Sequence, residues 1–174
     1  KIGCLCPSCG HNAGKLNNEA ITRCTNASCP AQFKSKIQHY CSKLAMNIEG
    51  LGQKIIEHLI NNKLINNIDD IYTIEKNKIA KIDGMGNKSA QNIIDSINKS
   101  KNTTFAKFIY AIGIRNVGEH TSKILERKYN SDLESFIKTT EEELLEINEI
   151  GEIVAKSIVD FWKDKNNVST IKNC

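Results

Sequence analysis

Ile82-Asp83-Gly84-Met85-Gly86 is one of four copies of a five-residue pattern: isoleucine, two variable residues, an apolar residue and a closing glycine. The others are Ile48-Glu49-Gly50-Leu51-Gly52, Ile114-Arg115-Asn116-Val117-Gly118 and Ile147-Asn148-Glu149-Ile150-Gly151. Their closing glycines stand 34, 32 and 33 residues apart. Self-similarity at a period of this size marks a supersecondary unit stacked on copies of itself. Beyond each glycine, apolar residues return at helical spacing: Ile56, Leu59 and Ile60; Ala90, Ile93, Ile94 and Ile97; Leu125; Ala155, Ile158, Val159 and Trp162. Each turn therefore opens an amphipathic helix, and Trp162 is expected to pack inward.

Between these units, Ser131-x-x-Glu134 and Thr140-x-x-Glu143 read as capping boxes that start intervening helices. The only prolines, Pro7 and Pro30, lie in the first thirty residues, so the remainder lacks the strongest helix breaker. No stretch alternates with period two, apart from short ribbon pieces around the cysteines. The fold class expected is mainly α: a small cysteine-rich finger over residues 1–33 and an all-α domain over 34–174, its four motifs near 48–60, 82–97, 114–129 and 147–162.

The finger is read from its cysteines. Four of the seven, Cys6, Cys9, Cys24 and Cys29, form C-x2-C, fourteen intervening residues and C-x4-C. Paired spacing of this kind, without a secretory leader, favours a tetrahedral thiolate site over a disulfide framework. Zinc is the natural ion, because a closed Cys4 shell holds it at about 2.3 Å per sulfur and leaves no position for water or substrate. Cys-Pro-x-Cys-Gly knuckles such as Cys6-Pro7-Ser8-Cys9-Gly10 also hold iron in rubredoxin-like sites, but the wider second pair departs from that arrangement. Cys4 reads as a spectator, Cys41 as a buried thiol and Cys174 as a loose terminal one.

The chain has 174 residues, 40% hydrophobic and 25% charged, with a formal net charge of +4. It can bury a core, yet no apolar run approaches the roughly 20 residues that span a bilayer. The start at Lys1 reads as that of an excised piece. Charge is segregated: residues 1–60 carry seven basic and three acidic side chains, 61–128 twelve and seven, and 129–174 five and ten. The acidic end, with Glu141, Glu142, Glu143, Glu146, Glu149 and Glu152, is expected to face solvent and not DNA.

A glycine turn feeding a helix lets backbone approach closely and aims unpaired N–H groups at an anion. One such turn is most simply a joint between packed helices; four in phase, with Lys54 and Lys88 two residues past the closing glycine and Arg115 inside the third turn, point to phosphates of nucleic acid. The candidate DNA-contacting residues are Gly50, Leu51, Gly52 and Lys54, Gly84, Met85, Gly86 and Lys88, and Arg115, Asn116, Val117 and Gly118. The fourth turn places Glu149 where the first two have glycine and Ile153 where they have lysine. It is expected to complete the helical core, with Lys156 its one nearby cation.

These residues together resemble NAD+-dependent DNA ligase of the bacterial type. The resemblance rests on the Cys4 finger, on Arg23-Cys24-Thr25-Asn26 through Cys29-Pro30-Ala31-Gln32, on Ala45-Met46-Asn47-Ile48-Glu49-Gly50-Leu51-Gly52, and on Ala111-Ile112-Gly113-Ile114-Arg115-Asn116-Val117-Gly118. It covers nearly the whole chain. It implies a structural Zn2+ finger and four helix-hairpin-helix motifs that grip the phosphates of nicked duplex DNA across the minor groove, without sequence specificity. It also implies a cytoplasmic, nucleoid-associated parent enzyme whose adjoining OB-fold and nucleotidyltransferase domains hold the NAD+ and Mg2+ chemistry. Lys81-Ile82-Asp83-Gly84 fits the K-x-D-G signature of an adenylated lysine, but it overlaps the second turn, whose Ile82 and Gly84 the repeat already requires. No catalytic residue is expected here. The alternatives are a standalone helix-hairpin-helix adaptor or repair-nuclease module, and a protein-interaction domain whose glycine turns only pack helices.

Overall fold

The computed structural model describes residues 4–15, 22–26 and 29–174. The finger is a small antiparallel sheet in the order β1 (Cys4–Leu5), β2 (Asn12–Gly14), β3 (Arg23–Cys24). Its register pairs Leu5 with Asn12 and Ala13 with Cys24. The knuckle between β1 and β2 closes when the Gly10 amide donates to the Cys6 carbonyl at 2.8 Å, with Gly10 at φ +71°. Only glycine adopts that conformation without strain.

Helix α1 (Pro30–Cys41) begins directly after Cys29, with proline in its first turn, where the missing N–H costs nothing. It runs past residue 33, so finger and body share one helix. The body continues with α2 (Gln53–Asn61), a 3-10 helix (Asp69–Thr73), α3 (Lys76–Ala80) and α4 (Asn87–Ser100). Then come α5 (Phe105–Ala111), α6 (Glu119–Tyr129), α7 (Leu133–Ile137), α8 (Glu141–Leu145), α9 (Glu152–Lys163) and α10 (Lys165–Lys172). Each glycine pattern joins one pair of packed helices: α1 with α2, α3 with α4, α5 with α6, and α8 with α9. The four repeats anticipated from the sequence are thus four hairpins, and the ribbon pieces around the cysteines are the sheet.

The repeat's apolar positions build one continuous core. Ile48, Ile82 and Ile114 are buried, as are the central residues Leu51, Val117 and Ile150. On the hairpin helices Ile56, Leu59, Ala90, Ile93, Ile97, Leu125, Ala155 and Ile158 face inward. Trp162 is buried as expected and meets Phe136 edge-on at 5.4 Å between ring centroids. Tyr40 is fully buried, and its hydroxyl is paired with that of Tyr72 at 2.8 Å.

One of the two capping boxes is displaced. Thr140 and Glu143 form it in full, each bonding the other's amide. At the other site Asp132 is the cap, its Oδ1 accepting from the Ser135 amide at 3.1 Å, not Ser131 with Glu134. The reason is local: Asn130 ends α6 at φ +48° and Ser131 follows at φ +65°. Two successive left-handed residues turn the chain so that the next helix starts one residue later.

Candidate metal centre and nucleic-acid interface

The finger brings Cys6, Cys9, Cys24 and Cys29 together, all four sulfurs lying within 4.8 Å of one another. Cys6 Sγ is 3.8 Å from Cys29 Sγ, and Cys9 Sγ is 3.4 Å from Cys24 Sγ. Tetrahedral ligands about 2.3 Å from one ion stand about 3.8 Å apart. The thiol set therefore fits a zinc-sized ion, and Cys29 and Cys6 are buried enough to shield it.

Backbone amides tune this cluster. The His11 amide, which faces the Cys9 sulfur, draws that thiol down to about 6. The Asn26 amide donates to Cys24 Sγ at 3.4 Å and pulls the same way, but burial and the neighbouring sulfurs, Cys9 first, outweigh it and push Cys24 up to about 12. Several thiolates at this spacing repel, so a divalent cation is what lets all four ionise together. Thr25 locks the frame through its amide and hydroxyl, both donating to the Asn12 carbonyl, and Gln32 Nε2 on α1 donates to the Cys24 carbonyl at 2.5 Å. The side chain of Cys4 lies outside the described residues. Cys41 is buried, and burial pushes its thiol up to about 12; Cys174 is exposed at the chain terminus.

The four hairpin turns share one backbone conformation. Gly50, Gly84, Asn116 and Glu149 have φ of +89°, +77°, +61° and +74°, and Gly52, Gly86, Gly118 and Gly151 then cap α2, α4, α6 and α9 in extended conformation. None of those four caps supplies a side-chain hydrogen bond, whereas Thr104, Asp132, Thr140 and Asp164 cap α5, α7, α8 and α10 with theirs. Helices α2, α4, α6 and α9 thus leave first-turn amides without a side-chain acceptor, at the positive end of each helix dipole. Lys54, Lys88 and Arg115 are exposed beside these turns, while Leu51 and Val117 are buried plugs beneath them and Met85 is partly so.

The hairpins associate in twos. The Glu49 amide, in the first turn, donates to Ser96 Oγ on α4 at 2.7 Å. Asn116 Nδ2, in the third turn, donates to Ser157 Oγ on α9 at 2.9 Å. A shallow crevice between the first two turns is lined by Gly50, Gly84, Ser89 and Asn92. Lys81 is exposed at the end of α3, one residue before the second turn.

One site residue escaped the sequence reading. His120 occupies the position two past the closing glycine that Lys54 and Lys88 hold, and superposing the four patterns at that offset would have found it. Its Nε2 lies 2.6 Å from Glu149 Oε2 in the fourth turn. Ile153, at the same offset in the fourth copy, is 73% exposed.

Sequence comparison partitions the chain along the same lines. Residues 6–31 match the family described as the NAD-dependent DNA ligase C4 zinc finger domain. Residues 42–99 match the SAM-like helix-hairpin-helix tandem, and residues 107–171 the helix-hairpin-helix motif. Among whole proteins, the chain is 43% identical over 171 residues to the DNA ligase of Geobacter sulfurreducens, which covers 98% of this chain and 25% of that protein. It is 42% identical over 172 residues to that of Syntrophus aciditrophicus and 41% identical over 168 to that of Methylococcus capsulatus, with 99% and 96% of this chain covered and 25% of each relative. The chain spans about a quarter of the length of the curated relatives it matches.

Proposed function

For a chain whose sequence belongs with the NAD-dependent DNA ligases, we propose the role of DNA clamp: it grips the phosphate backbone of nicked duplex DNA across the minor groove, without reading sequence. The observation that carries this is the set of glycine-capped helix starts, whose amides lack side-chain acceptors and whose first two copies place an exposed lysine beside them. Backbone amides at a helix start, with one cation, suit a phosphate and make no distinction among bases. The residues engaged are Gly50, Leu51, Gly52 and Lys54, Gly84, Met85, Gly86 and Lys88, and Arg115 to Gly118, with the fourth hairpin serving chiefly the core.

Residues 1–33 form the finger and 34–174 the clamp. Cys6, Cys9, Cys24 and Cys29 would hold Zn2+, which would offset half of the four thiolate charges and tie the two knuckles together at the start of α1. Catalysis resides elsewhere in the parent enzyme, in nucleotidyltransferase and OB-fold domains that use NAD+ and Mg2+ in the cytoplasm at the nucleoid. Lys81 takes no AMP: incubation of this chain with labelled NAD+ is expected to leave no adduct, and an adduct lost in Lys81→Ala would reverse that assignment.

Fluorescence anisotropy with mixed-sequence duplexes, titrated with salt, tests the clamp. Affinity is expected to fall with a log–log slope near −0.9 per neutralised phosphate, indicating about 3–6 contacts. Lys54→Ala and Lys88→Ala should each weaken binding and reduce the slope by nearly one, while Lys156→Ala does little. A strong preference among random duplexes, a flat salt dependence, or equal losses at Lys88 and Lys156 would point to another function.

A further inference from the structure

The third and fourth hairpins repeat the geometry of the first and second, with one exchange between them. In the first tandem the residue two past the closing glycine is Lys54, and the left-handed residue of the partner turn is Gly84, which has no side chain. The corresponding residues of the second tandem are His120 and Glu149, and they are bonded to each other at 2.6 Å across the two hairpins. A carboxylate only accepts, so His120 Nε2 is the donor. Glu149 stands at φ +74°, a left-handed conformation that strains a non-glycine residue. Glycine would occupy the turn without that strain, as Gly84 does.

We propose that Glu149 is an internal anion that holds His120, the phosphate-contacting donor of the third hairpin, and that a DNA phosphate displaces the carboxylate when the second tandem engages. This rests on the clamp reading above. His120 lies in the first turn of α6, where the dipole and the unaccepted amides of Gly118-capped backbone favour an anion at the same place. Glu149 supplies one from within the chain. The pair is largely exposed, so the competition is soft and a phosphate drawn in by the first tandem can win it. Other charges close in sequence to the pair are Arg115, Glu119 and Lys123 in the third hairpin and Glu152 in the fourth, and their contribution must be separated from that of Glu149.

The test is a double-mutant cycle on the full chain, read by duplex-DNA anisotropy at fixed salt. Glu149→Gly rebuilds the first tandem's arrangement and should tighten binding about two- to fivefold, the range expected on removing the competition of an exposed hydrogen-bonded carboxylate. Its melting temperature should be unchanged or higher, because glycine suits the turn. In a His120→Ala background the same substitution should change affinity little, and Glu152→Gln, which removes equal charge three residues away, should gain less than Glu149→Gly. Equal tightening with and without His120, equal gains from Glu152→Gln, or no tightening while Lys54→Ala and Lys88→Ala still weaken binding would each overturn this inference alone. Absence of salt-dependent DNA binding by the unaltered chain would overturn the clamp reading and this inference with it.

Discussion

A methyl group at Gly50 would meet Ile93 Cγ1 at 2.7 Å with the backbone at φ +89°, whereas one at Gly86 would meet nothing within 4 Å. Gly50→Ala is therefore expected to lose about 2 kcal/mol or more in urea unfolding, since strain and overlap act together. Gly86→Ala should unfold close to the parent, so any loss of DNA affinity there reports close approach of the ligand. At the cysteines, elemental analysis should find one zinc per chain, absent after Cys24→Ser with Cys29→Ser. Retention against a chelator should weaken as pH falls, because each bound thiolate must be reprotonated for release. The four-cysteine cluster was legible because its spacing is local and chemically narrow. The His120–Glu149 contact was not, because 29 residues separate its partners and only the stacking of two hairpins brings them together.

Helix starts in this protein divide into those sealed by their own side chains and those left open, and the division predicts opposite responses. Thr140→Ala should cost about 1 kcal/mol, since it removes one half of a complete capping box. Ser131→Ala should cost almost nothing, because Asp132 performs the capping there. Gly86→Ser is the informative case. Its backbone is already extended at φ −92° and ψ 169°, so a serine hydroxyl can seal the first turn of α4. Thermal stability should hold or rise slightly while DNA affinity falls, as the hydroxyl takes amides that a phosphate needs; unchanged affinity would mean those amides are not used. Periodicity revealed the helix that follows each glycine turn, α2, α4, α6 and α9, yet it could not place the start of α7. Ser131-x-x-Glu134 satisfies the capping pattern, and the left-handed pair Asn130–Ser131 that overrides it carries no hydrophobic signature.

The chain is held as one body by contacts far apart in sequence. His39 Nε2 on α1 is 2.8 Å from the Tyr110 carbonyl on α5, Lys34 pairs with Glu57 on α2, and Asn173 Nδ2 donates to Asp69 Oδ2 at 3.1 Å. Because α1 is anchored both to the tandem and to its own hairpin, chelation should melt the finger and fray the start of α1 while most helical circular dichroism survives; loss of the whole signal would mean that the metal folds the body as well. The order of elements and the all-α body follow from the repeat, but how the hairpins pair does not. That the first turn rests on α4 and the third on α9 is decided by Ser96 and Ser157, polar residues that no hydrophobic pattern marks. The twofold recurrence of this seating has an evolutionary consequence. Two copies of one unit that bear unequally on a shared task are not equally exposed to selection: under selection for DNA binding, substitutions at Gly84 and Lys88 should be purged, whereas the matching position Ile153 drifts freely and Glu149 gives way to glycine. A library randomised at all four sites would record that asymmetry directly.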